Sequence, residues 1–477
     1  MQRAIIVVLA VITVLLPLST DADALFRDVT EEVGLSGGGH AAWADFDGDG
    51  WVDVLIGGTL FRNIEGERFE RVELPEGVGS TGGTWGDATN DGNLDLFTFG
   101  ASFALALNSG DGTFTRSDGL PDIPIARSRG ACWVDVTGNG LLDLYVGGYE
   151  TWQEEVYVDV ILINEGDGRF SIGWQSSSEG KRSARGVTAA DFNDDGRADI
   201  YVSNYRLQPN YLWLNTGSVP LPEAAAELGV AGVAKSEIGY TGGIRYPVSG
   251  HTIGSAWGDL DNDGLIDLFV GNFSHPPAYQ DRPQFLRNTG PPDWSFEDMS
   301  ATAALAWQES YASPALADFT NDGYLDLYFT TVYAGDHSVL YRNQGGWSFT
   351  DVTEESGIEA VRTYQAAWAD YNNNGRLDLL TGGRLYENAL EDAGNWVRLK
   401  LEGPGSAIGA VARLRLEDMT LTRHVESSTG EGNQNEMVLH FGLGDHEGPV
   451  EVEITWPGGD RQSLTVPANE LTTIAQP

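Results

Sequence analysis

The chain contains 477 residues, of which 70 are Asp or Glu and 28 are Lys or Arg, so its formal net charge is −42. Such a surface repels nucleic acid phosphates and anionic lipid headgroups, and we therefore expect neither nucleic acid nor a membrane surface as a partner. The length allows two to four domains unless one repeat architecture takes up most of the chain.

The N-terminus has the pattern of an export signal. Arg3 precedes an apolar run from Ala4 to Leu18, and Ala22-Asp23-Ala24 offers small residues for cleavage. The run is short for a membrane span, and no other candidate span follows. We expect residues 1–24 to be a signal peptide and the remaining chain to be secreted or periplasmic. Cys132 is the only cysteine, so the chain has no internal disulfide.

A nine-residue pattern organises the rest of the sequence. In the stretch from Asp45 to Asp53, carboxylates occupy the first, third, fifth and ninth positions, and Gly50 permits a sharp turn at the sixth. Oxygen ligands at this spacing suit a hard cation, above all Ca²⁺. The pattern starts again at Asp87, Asp135, Asp191, Asp259, Asp318 and Asp370, at intervals of 42 to 68 residues. Seven copies in phase indicate a repeat array.

Each loop supplies candidate Ca²⁺ ligands at its first, third, fifth, seventh and ninth positions. They are Asp45, Asp47, Asp49, Trp51 and Asp53; Asp87, Thr89, Asp91, Asn93 and Asp95; Asp135, Thr137, Asn139, Leu141 and Asp143; Asp191, Asn193, Asp195, Arg197 and Asp199; Asp259, Asp261, Asp263, Leu265 and Asp267; Asp318, Thr320, Asp322, Tyr324 and Asp326; and Asp370, Asn372, Asn374, Arg376 and Asp378. Up to seven ions are expected, and at two charges each they would bring −42 to −28.

The loops differ in their number of carboxylates. Those beginning at Asp45 and Asp259 have four and should bind Ca²⁺ most tightly, whereas those beginning at Asp135 and Asp370 keep two and should bind it most weakly. Clustered carboxylates repel one another without a cation, so we expect the ions to stabilise the hairpins.

The sequence around each loop predicts four short strands. An apolar, often Trp-marked run precedes the loop, a β-branched or aromatic run follows it, and a third run ending in Asn and a fourth run led by Phe complete most units. Four strands in about 40 to 60 residues predict a propeller blade. We therefore predict an all-β, seven-bladed β-propeller over residues 25–394.

The last unit is incomplete. It lacks the Phe-led fourth run, but the segment 25–30 at the start of the chain after the signal closely matches the segment 348–353. We expect this N-terminal strand to complete blade seven and close the ring, which also removes exposed sheet edges. The longest connection between loops includes the segment 221–228, where a Pro is followed by good helix formers, and we predict a short helix there.

Residues 395–477 carry no Asp loop. They show strand alternation, as in Val450 to Thr455, and a turn at Pro457-Gly458-Gly459. This pattern predicts a second domain, a small β-sandwich.

These motifs resemble known families. The Asp-loop units resemble FG-GAP or VCBS repeats, as in integrin α-subunit propellers. The tail resembles an ASPIC/UnbV domain through the segments 407–410, 440–444 and 456–459. Together they are similar to the secreted cartilage-acidic-protein-1-like group, which implies a Ca²⁺-bound extracellular propeller. The tail departs from the family pattern where Thr429-Gly430-Glu431-Gly432 replaces a Gly-Tyr element.

A candidate ligand face lies at the end of the blades opposite the Asp loops. The segments there carry Arg, His and Tyr although the chain is acidic, and these residue types suit carboxylate or sugar recognition. The proposed ligand-binding residues are Arg129, Arg185, His251, Tyr311 and Tyr364, and the same face carries His40, Arg127, Arg182, Arg206, Arg245, His275 and Tyr279. The alternative is that these arginines pair with neighbouring carboxylates.

The sequence favours a monomeric, non-catalytic module for binding or adhesion to an extracellular glycan or protein. One alternative is a carbohydrate-active lyase or hydrolase that acts on acidic polysaccharide, for example through His251 and Glu309. Another is an acidic matrix protein that loads Ca²⁺. The chain has 7 histidines and no recognisable nucleophile motif. Cys132 and His440 are expected to be buried structural residues.

Overall fold

The computed structural model describes residues 24–151, 158–177, 181–232, 250–274, 282–359, 362–416 and 419–477, and the backbone of 236–241 and 244–248. Within these ranges the protein is almost entirely β-structure, as the sequence predicts. Seven antiparallel sheets follow one another along the chain, and two further sheets form the C-terminal part.

The first four sheets contain short strands in chain order. After β1 (Phe26–Asp28), sheet one contains β2 (Ala41–Ala44), β3 (Asp53–Ile56), β4 (Thr59–Ile64) and β5 (Arg68–Val72); sheet two contains β6 (Gly82–Gly86), β7 (Asp95–Phe99), β8 (Ala104–Asn108) and β9 (Phe114–Arg116); sheet three contains β10 (Ala131–Val134), β11 (Asp143–Val146), β12 (Val160–Gly166) and β13 (Arg169–Gln175); sheet four contains β14 (Ala184–Ala190), β15 (Asp199–Asn204) and β16 (Tyr211–Trp213).

A hairpin separates these sheets from the next three. It consists of β17 (Ser236–Thr241) and β18 (Ile244–Val248). Sheet five contains β19 (His251–Gly258), β20 (Asp267–Phe273), β21 (Gln284–Asn288) and β22 (Phe296–Asp298); sheet six contains β23 (Pro314–Ala317), β24 (Asp326–Phe329), β25 (Val339–Asn343) and β26 (Phe349–Asp351); sheet seven contains β27 (Ala366–Ala369), β28 (Asp378–Thr381) and β29 (Arg384–Asn388). Short helices α1 (Ala225–Leu228), α2 (Ser300–Ala303) and α3 (Thr353–Ser356) follow sheets four, five and six. Helix α1 lies within the segment where the sequence predicts one.

Sheet seven closes the ring. β1 pairs antiparallel with β29, with Phe26 opposite Asn388, so both ends of this region lie in one sheet. The first strand of each sheet contacts the first strand of the next, and β27 contacts β2. The sheets are therefore the blades of a β-propeller, and their first strands surround a central channel.

Tryptophan and asparagine side chains fasten neighbouring blades. The indole N–H of Trp85 on β6 donates to the carbonyl of Ala42 on β2 at 3.3 Å. Near the end of the third strand of each blade, an Asn side chain donates to a carbonyl of its own blade and to one in the loop of the preceding blade. These residues are Asn63, Asn108, Asn164, Asn215, Asn288, Asn343 and Asn388. They are buried, so each bond satisfies a carbonyl that is costly to leave unpaired.

The C-terminal sandwich consists of two sheets. One has the order β33 (Leu439–Gly444), β30 (Asn395–Glu402), β36 (Leu471–Ala475), and the other has the order β32 (Met419–His424), β31 (Val411–Leu416), β34 (Val450–Thr455), β35 (Arg461–Val466). A 3-10 turn spans Pro404–Ala407. Leu399, Leu414, Ile454 and Trp456 belong to one buried cluster that continues into blades two and three through residues such as Trp133. The sandwich is therefore packed directly onto the propeller.

Candidate functional site

The Asp loops join the first to the second strand of each blade, so they all lie at one end of the propeller. In each loop the sixth residue is a Gly with φ between 80° and 96°, as the sequence predicts. The fourth residue also has positive φ, between 54° and 71°. These fourth residues are Gly48, Asn90, Gly138, Asp194, Asn262, Asn321 and Asn373. Gly, Asn and Asp are the residues that adopt this conformation most readily, which explains their recurrence.

The ninth residue of each loop is a buried Asp at the start of the second strand. In blade one, Asp53 Oδ2 accepts the N–H of Phe46 at 3.1 Å, and Oδ1 accepts the N–H of Asn63 at 2.7 Å. Burial raises the pKa of Asp53 to about 9, and the nearby Asp47 carboxylate contributes to the rise. An ionised carboxylate at this position is therefore unfavourable unless a positive charge accompanies it.

Loop one brings three carboxylates together. Ligand oxygens of Asp45, Asp47 and Asp49 all lie within 4.8 Å of one another. Asp45 Oδ1 and Asp47 Oδ1 are buried and accept no hydrogen bond. Buried oxygens without donors are what a Ca²⁺ ligand set requires, so the residues of loop one fit this ion.

Loop five repeats this arrangement. Oxygens of Asp259, Asp261 and Asp267 lie within 4.8 Å of one another, and Oδ1 of Asp259 and of Asp261 is buried without a donor. Burial and the charge of Asp263 raise the pKa of Asp259 to about 8. Among the described residues, such three-carboxylate clusters occur in loops one and five. These are the loops with four carboxylates, for which the sequence predicts the tightest binding.

In loops two, four and six, the first carboxylate is already bonded through both oxygens. Asp87, Asp191 and Asp318 each accept the N–H of the fifth residue on Oδ1 and that of the sixth on Oδ2. In loop three, Asp135 Oδ1 accepts the N–H of Gly138 at 2.7 Å. The first carboxylates of these loops therefore lack the donor-free Oδ1 that Asp45 and Asp259 keep in loops one and five.

The C-terminal sandwich covers the Asp-loop end and brings positive charge to it. Residues 395–477 contain six Lys and Arg residues. Five of them contact the loops: Arg398 pairs with Asp370, Lys400 with Asp45, Arg413 and Arg461 with Asp194, and Arg423 donates to the carbonyl of Gly323. The sandwich and the loops therefore have complementary charge at their contact.

A cavity of about 480 Å³ lies between loop one and the sandwich. Its lining includes Asp45, Asp47, Lys400, Glu402, Met437 and Leu471. The cavity exists because the two parts of the chain dock, so no local sequence pattern predicts it.

The segment Val425–Val438, which we call the channel segment, leaves the sandwich between β32 and β33 and enters the propeller. It hydrogen-bonds at the first strand of every blade, at Ala41, Trp85, Trp133, Val187, Ser255, Ser313 and Trp368. Gln434, for example, accepts the N–H of Trp85 through its side-chain oxygen at 2.8 Å. One segment therefore supplies hydrogen-bond partners to polar groups at the inner strand of each blade.

The channel segment carries Glu431 to the end of the channel opposite the Asp loops. Glu431 is fully buried and pairs with Arg185, whose side chain is 4% exposed; Arg185 Nε donates to Glu431 Oε1 at 2.6 Å. His40 Nε2 lies 3.6 Å from Oε2, and Arg129 Nη1 lies 4.0 Å from Oε1. Burial alone would raise the pKa of Glu431, but the charge of Arg185 holds it at about 2. Glu431 is thus an internal carboxylate partner for the arginines of the predicted ligand face.

The structure places two of the five predicted ligand-face residues in the interior. Arg185 is buried against Glu431, in agreement with the alternative that such arginines pair with carboxylates. Tyr311 is 2% exposed, and its hydroxyl donates to the carbonyl of Ala306 within the core of blades five and six. Neither side chain is accessible to a ligand. His251 is also largely buried, with its ring centroid 4.7 Å from that of Tyr205.

Arg127, Arg129, Tyr149 and Tyr364 lie together at this end and form what we call the mouth cluster. The guanidinium of Arg129 lies over the rings of Tyr149 and Tyr364, at 5.5 and 5.8 Å from their centroids. Arg127 lies 5.7 Å from the Tyr149 centroid. Burial and the positive charge of Arg129 lower the pKa of Arg127. Among the described residues, no carboxylate lies within ion-pair distance of Arg127.

Two other residues have the structural environment that the sequence predicts. Cys132 is fully buried, and burial raises the pKa of its thiol. His440 is also buried, and its Nε2 lies 2.6 Å from Asn321 Oδ1 in loop six. Burial lowers the pKa of His440, so its ring is neutral and links the sandwich to the propeller.

Some sequence predictions fall outside the described residues. Residues 1–23 contain nearly all of the predicted signal peptide, and His275 and Tyr279 of the predicted ligand face also lie outside, as does the side chain of Arg245. Within the described ranges, no helix combines the length and the apolar character needed to cross a membrane.

Two protein families match the sequence. The family described as FG-GAP-like repeat matches residues 45–98, 135–202 and 259–329, which begin at the loops of blades one, three and five. The family described as ASPIC and UnbV matches residues 402–477, which cover most of the C-terminal sandwich.

The chain is similar to cartilage acidic protein 1. The proteins of that name from Mus musculus and Homo sapiens are each 25% identical to it over 313 residues, which is 61% of this chain and 44% and 43% of theirs. The chain thus spans less than half the length of the curated relatives it matches. Among solved structures, BBS1N in complex with ARL6DN is 12% identical with a TM-score of 0.45, and the alignment covers 77% of this chain and 98% of that chain.

Proposed function

This chain is an FG-GAP-like repeat protein that ends in an ASPIC and UnbV domain, and from that premise we propose that it is a secreted, Ca²⁺-stabilised binding module. Its ligand is a carboxylate-bearing glycan that binds at the mouth cluster, and it binds this glycan without catalysis. One observation carries the proposal: the guanidinium groups of Arg129 and Arg185 both lie within 4.0 Å of the Glu431 carboxylate, and that of Arg127 lies beside them over the Tyr149 ring, in a chain whose net charge is −42.

The local charge balance supports an anionic ligand. Among the described residues, Glu431 is the only carboxylate within ion-pair distance of Arg129 and none lies within that distance of Arg127, and Glu431 is already engaged by Arg185. A guanidinium presents paired donors that match a carboxylate. The adjacent ring of Tyr364 is partly exposed and is of the kind that contacts sugar rings, whereas Tyr149 is buried and packs against the arginines. Together these groups suit a uronate unit better than a neutral sugar.

The arrangement of the domains also supports a binding surface at the mouth end of the propeller. The sandwich covers the Asp-loop end, and the channel segment fills the channel as far as Glu431. Of the two ends, the mouth is the one that the sandwich leaves open within the described residues. A binding surface there is close to the channel axis and is built on strand ends of several blades.

Ca²⁺ has a supporting role in this proposal. Asp45, Asp47, Asp49 and Asp53 would hold an ion in loop one, and the matching residues would do so in loop five. The ion neutralises clustered carboxylates and fixes the hairpin. Extracellular Ca²⁺ at millimolar concentration fills sites that would stay empty in the cytosol, which agrees with the export signal that the sequence predicts.

The test is binding of the purified protein to immobilised polygalacturonate and to neutral dextran, in Ca²⁺, by biolayer interferometry. We expect binding to the polyuronate alone and a loss of about tenfold in affinity for each of Arg127→Ala and Arg129→Ala, because one charge-assisted contact is worth about that factor. The matched control is Arg71→Ala, which removes an exposed arginine on the outer strand β5 that contacts Glu73.

Equal binding to both glycans, or binding that Arg127→Ala and Arg129→Ala leave unchanged, contradicts the proposal. Release of shortened uronate chains would replace it with the lyase or hydrolase alternative. Capture of an acidic protein in place of the glycans would move the ligand class from sugar to protein.

A further inference from the structure

The first carboxylate of loop seven is paired with a buried cation from the sandwich. Asp370 Oδ2 accepts the N–H of Gly375 and also a bond from Arg398 Nη1, each at 2.8 Å. The side chains of Asp370 and Arg398 are 0% and 3% exposed. A guanidinium from the sandwich is thus buried against the first carboxylate of the loop.

The same guanidinium is held from a second side. Arg398 Nη2 donates to Glu436 Oε2 at 2.6 Å, and Glu436 Oε1 accepts the backbone N–H of Asp370 at 3.0 Å. Arg398 Nη1 also donates to Asn373 Oδ1 at 3.0 Å. Two carboxylates and an amide therefore fix the group in one position, and β30, the channel segment and loop seven meet there.

Of the side-chain oxygens in loop seven, that of Asn372 lacks a hydrogen-bond donor, whereas those of Asp378 and Asn374 already accept N–H groups. Asp378 is engaged by the N–H groups of Tyr371 and Asn388, at 3.2 and 2.8 Å. Asn374 Oδ1 accepts the N–H of Arg376 at 2.9 Å. The loop has two carboxylates where loops one and five have four. A divalent cation needs more negative charge than this set can give.

In loop one, by contrast, the cation that the sandwich contributes is partly exposed. Its contact with the sandwich is Lys400 Nζ at 3.2 Å from Asp45 Oδ2, and the Lys400 side chain is 36% exposed. Asp45 Oδ1 remains without a donor. A half-exposed lysine can move into water when an ion binds, whereas the buried Arg398 has no such alternative.

We propose that the guanidinium of Arg398 takes the place of a metal ion in loop seven, so that the blade in which the ring closes is joined to the C-terminal sandwich by an ion pair and not by Ca²⁺. A Ca²⁺ ion beside this buried guanidinium would meet like charge at short range, where water screens it poorly. The residues of loop seven therefore do not fit Ca²⁺. The closure between β1 and β29 is then independent of the Ca²⁺ supply.

This inference depends on the proposed Ca²⁺ binding only for its reference loops, and one set of melting curves separates the two. Asp370→Asn and its matched control Asp45→Asn change the first residue of loops seven and one. Each variant of the full chain is melted in EDTA and in Ca²⁺. We expect Asp370→Asn to lower the melting temperature by the same several degrees in both conditions, and Asp45→Asn to remove part of the rise that Ca²⁺ produces.

An Asp370→Asn penalty that is larger in Ca²⁺ than in EDTA overturns the inference. If Asp45→Asn lowers the melting temperature equally in Ca²⁺ and in EDTA, the proposed Ca²⁺ binding is contradicted instead. The effect of Asp370→Asn is then judged from the melts in EDTA alone. In EDTA, the double variant Asp370→Asn/Arg398→Gln should lose less than the sum of its single variants, because the two side chains form one pair. Additive losses overturn the inference.

A direct location of ions gives a second readout on the unaltered protein. Crystals soaked in Tb³⁺, an analogue of Ca²⁺, should show anomalous density in loops one and five and none in loop seven. The side-chain oxygen of Asn372 is buried without a hydrogen-bond donor and is the group that an ion in loop seven would use. Density bounded by Asp370, Asn372 and Asp378 overturns the inference.

Discussion

The two ends of the propeller carry opposite charge arrangements. At the Asp-loop end, clustered carboxylates meet five Lys and Arg side chains of the sandwich. At the mouth, Arg129 and Arg185 lie within 4.0 Å of one carboxylate, and that carboxylate, Glu431, belongs to the channel segment that leaves the sandwich. The C-terminal part of the chain therefore contributes charged partners at both ends of the propeller. The proposed ion binding and the proposed ligand recognition therefore lie at opposite ends of the channel.

Removal of Ca²⁺ should affect the Asp-loop end most strongly. If loops one and five are filled at a hundred times their dissociation constants, each ion contributes about 2.7 kcal/mol, so EDTA should lower the free energy of unfolding by about 5 kcal/mol. Urea denaturation with and without Ca²⁺ measures this. In Asp45→Asn/Asp259→Asn the difference should nearly disappear. A wild-type curve that does not respond to EDTA contradicts the structural role of the ions.

Loss of the internal carboxylate should affect the mouth end next. Glu431→Gln leaves the buried Arg185 without its charge partner, and breaking such a pair costs about 3 to 5 kcal/mol. Glu426→Gln is the matched control in the same segment, because burial raises the pKa of Glu426 to about 8 and its carboxyl is mostly protonated at neutral pH. Urea denaturation of both variants checks the expectation, and equal losses would argue against the Glu431–Arg185 pair.

Acidification should act on the two ends in opposite directions. The pKa of Glu431 is lowered to about 2, so its contribution to stability is present above its unfolded pKa of about 4.5 and is lost as the pH falls through 2. The metal-free pKa values of Asp53 and Asp259 are raised to about 9 and about 8, so their ionisation destabilises the metal-free fold as pH rises from the unfolded value near 4.

The rise in melting temperature on adding Ca²⁺ should therefore shrink from about pH 8 to about pH 5.5, because protons compete for the same oxygens. Over the same range, the melting temperature in EDTA should increase. Calorimetric melts at three or more pH values measure both trends. A Ca²⁺ effect that is constant with pH would mean that the raised carboxyls of loops one and five do not bind the ion.

The outer contacts of the sandwich should matter least. Arg413 and Arg461 both pair with Asp194, at 3.0 and 3.3 Å, but these side chains are partly exposed. We expect Arg413→Ala and Arg461→Ala each to cost less than about 1 kcal/mol in denaturant unfolding. Larger losses would mean that rim charges, and not the buried pairs and the channel segment, hold the sandwich on the propeller.

The fold could be predicted from the sequence because its signal is repeated. Seven in-phase loops and the similarity between the segments 25–30 and 348–353 are visible without any three-dimensional information. The expectation that loops one and five bind Ca²⁺ more tightly than loop seven follows from their number of carboxylates alone. The all-β class and the C-terminal sandwich also follow from local strand and turn patterns.

Other features recur in the sequence but their role is visible only in the structure. The Asn at the end of each third run is an example, since the partner of Asn108 is the carbonyl of Phe46 in the preceding blade. The Gly, Asn or Asp at the fourth loop position is another, and its requirement for positive φ could have been recognised from residue type. The role of Glu431 could not, because its partner Arg185 is 246 residues away and Glu431 lies outside the repeats.

The burial of Arg185 could not be predicted either. Sequence alternation places Arg185 at the correct end of its blade, but it carries no information on the segment that fills the channel there. Tyr311 is buried for another reason, because it packs in the core of blades five and six. The mouth cluster that remains accessible is therefore smaller than the predicted ligand face and is centred on Arg127 and Arg129.

The position of the channel segment also constrains the order in which the chain can fold during its synthesis. Asn433, the partner of Ala41, follows it by 392 residues, and Gln434, the partner of Trp85, follows it by 349. Every blade has been synthesised before this segment leaves the ribosome. The groups of the inner strands that bond to this segment therefore remain unpaired until the end of translation. Contacts over such separations form slowly, and open strand edges attract other chains in the meantime. A nascent chain interrupted before residue 425 is thus a target for chaperones and proteases.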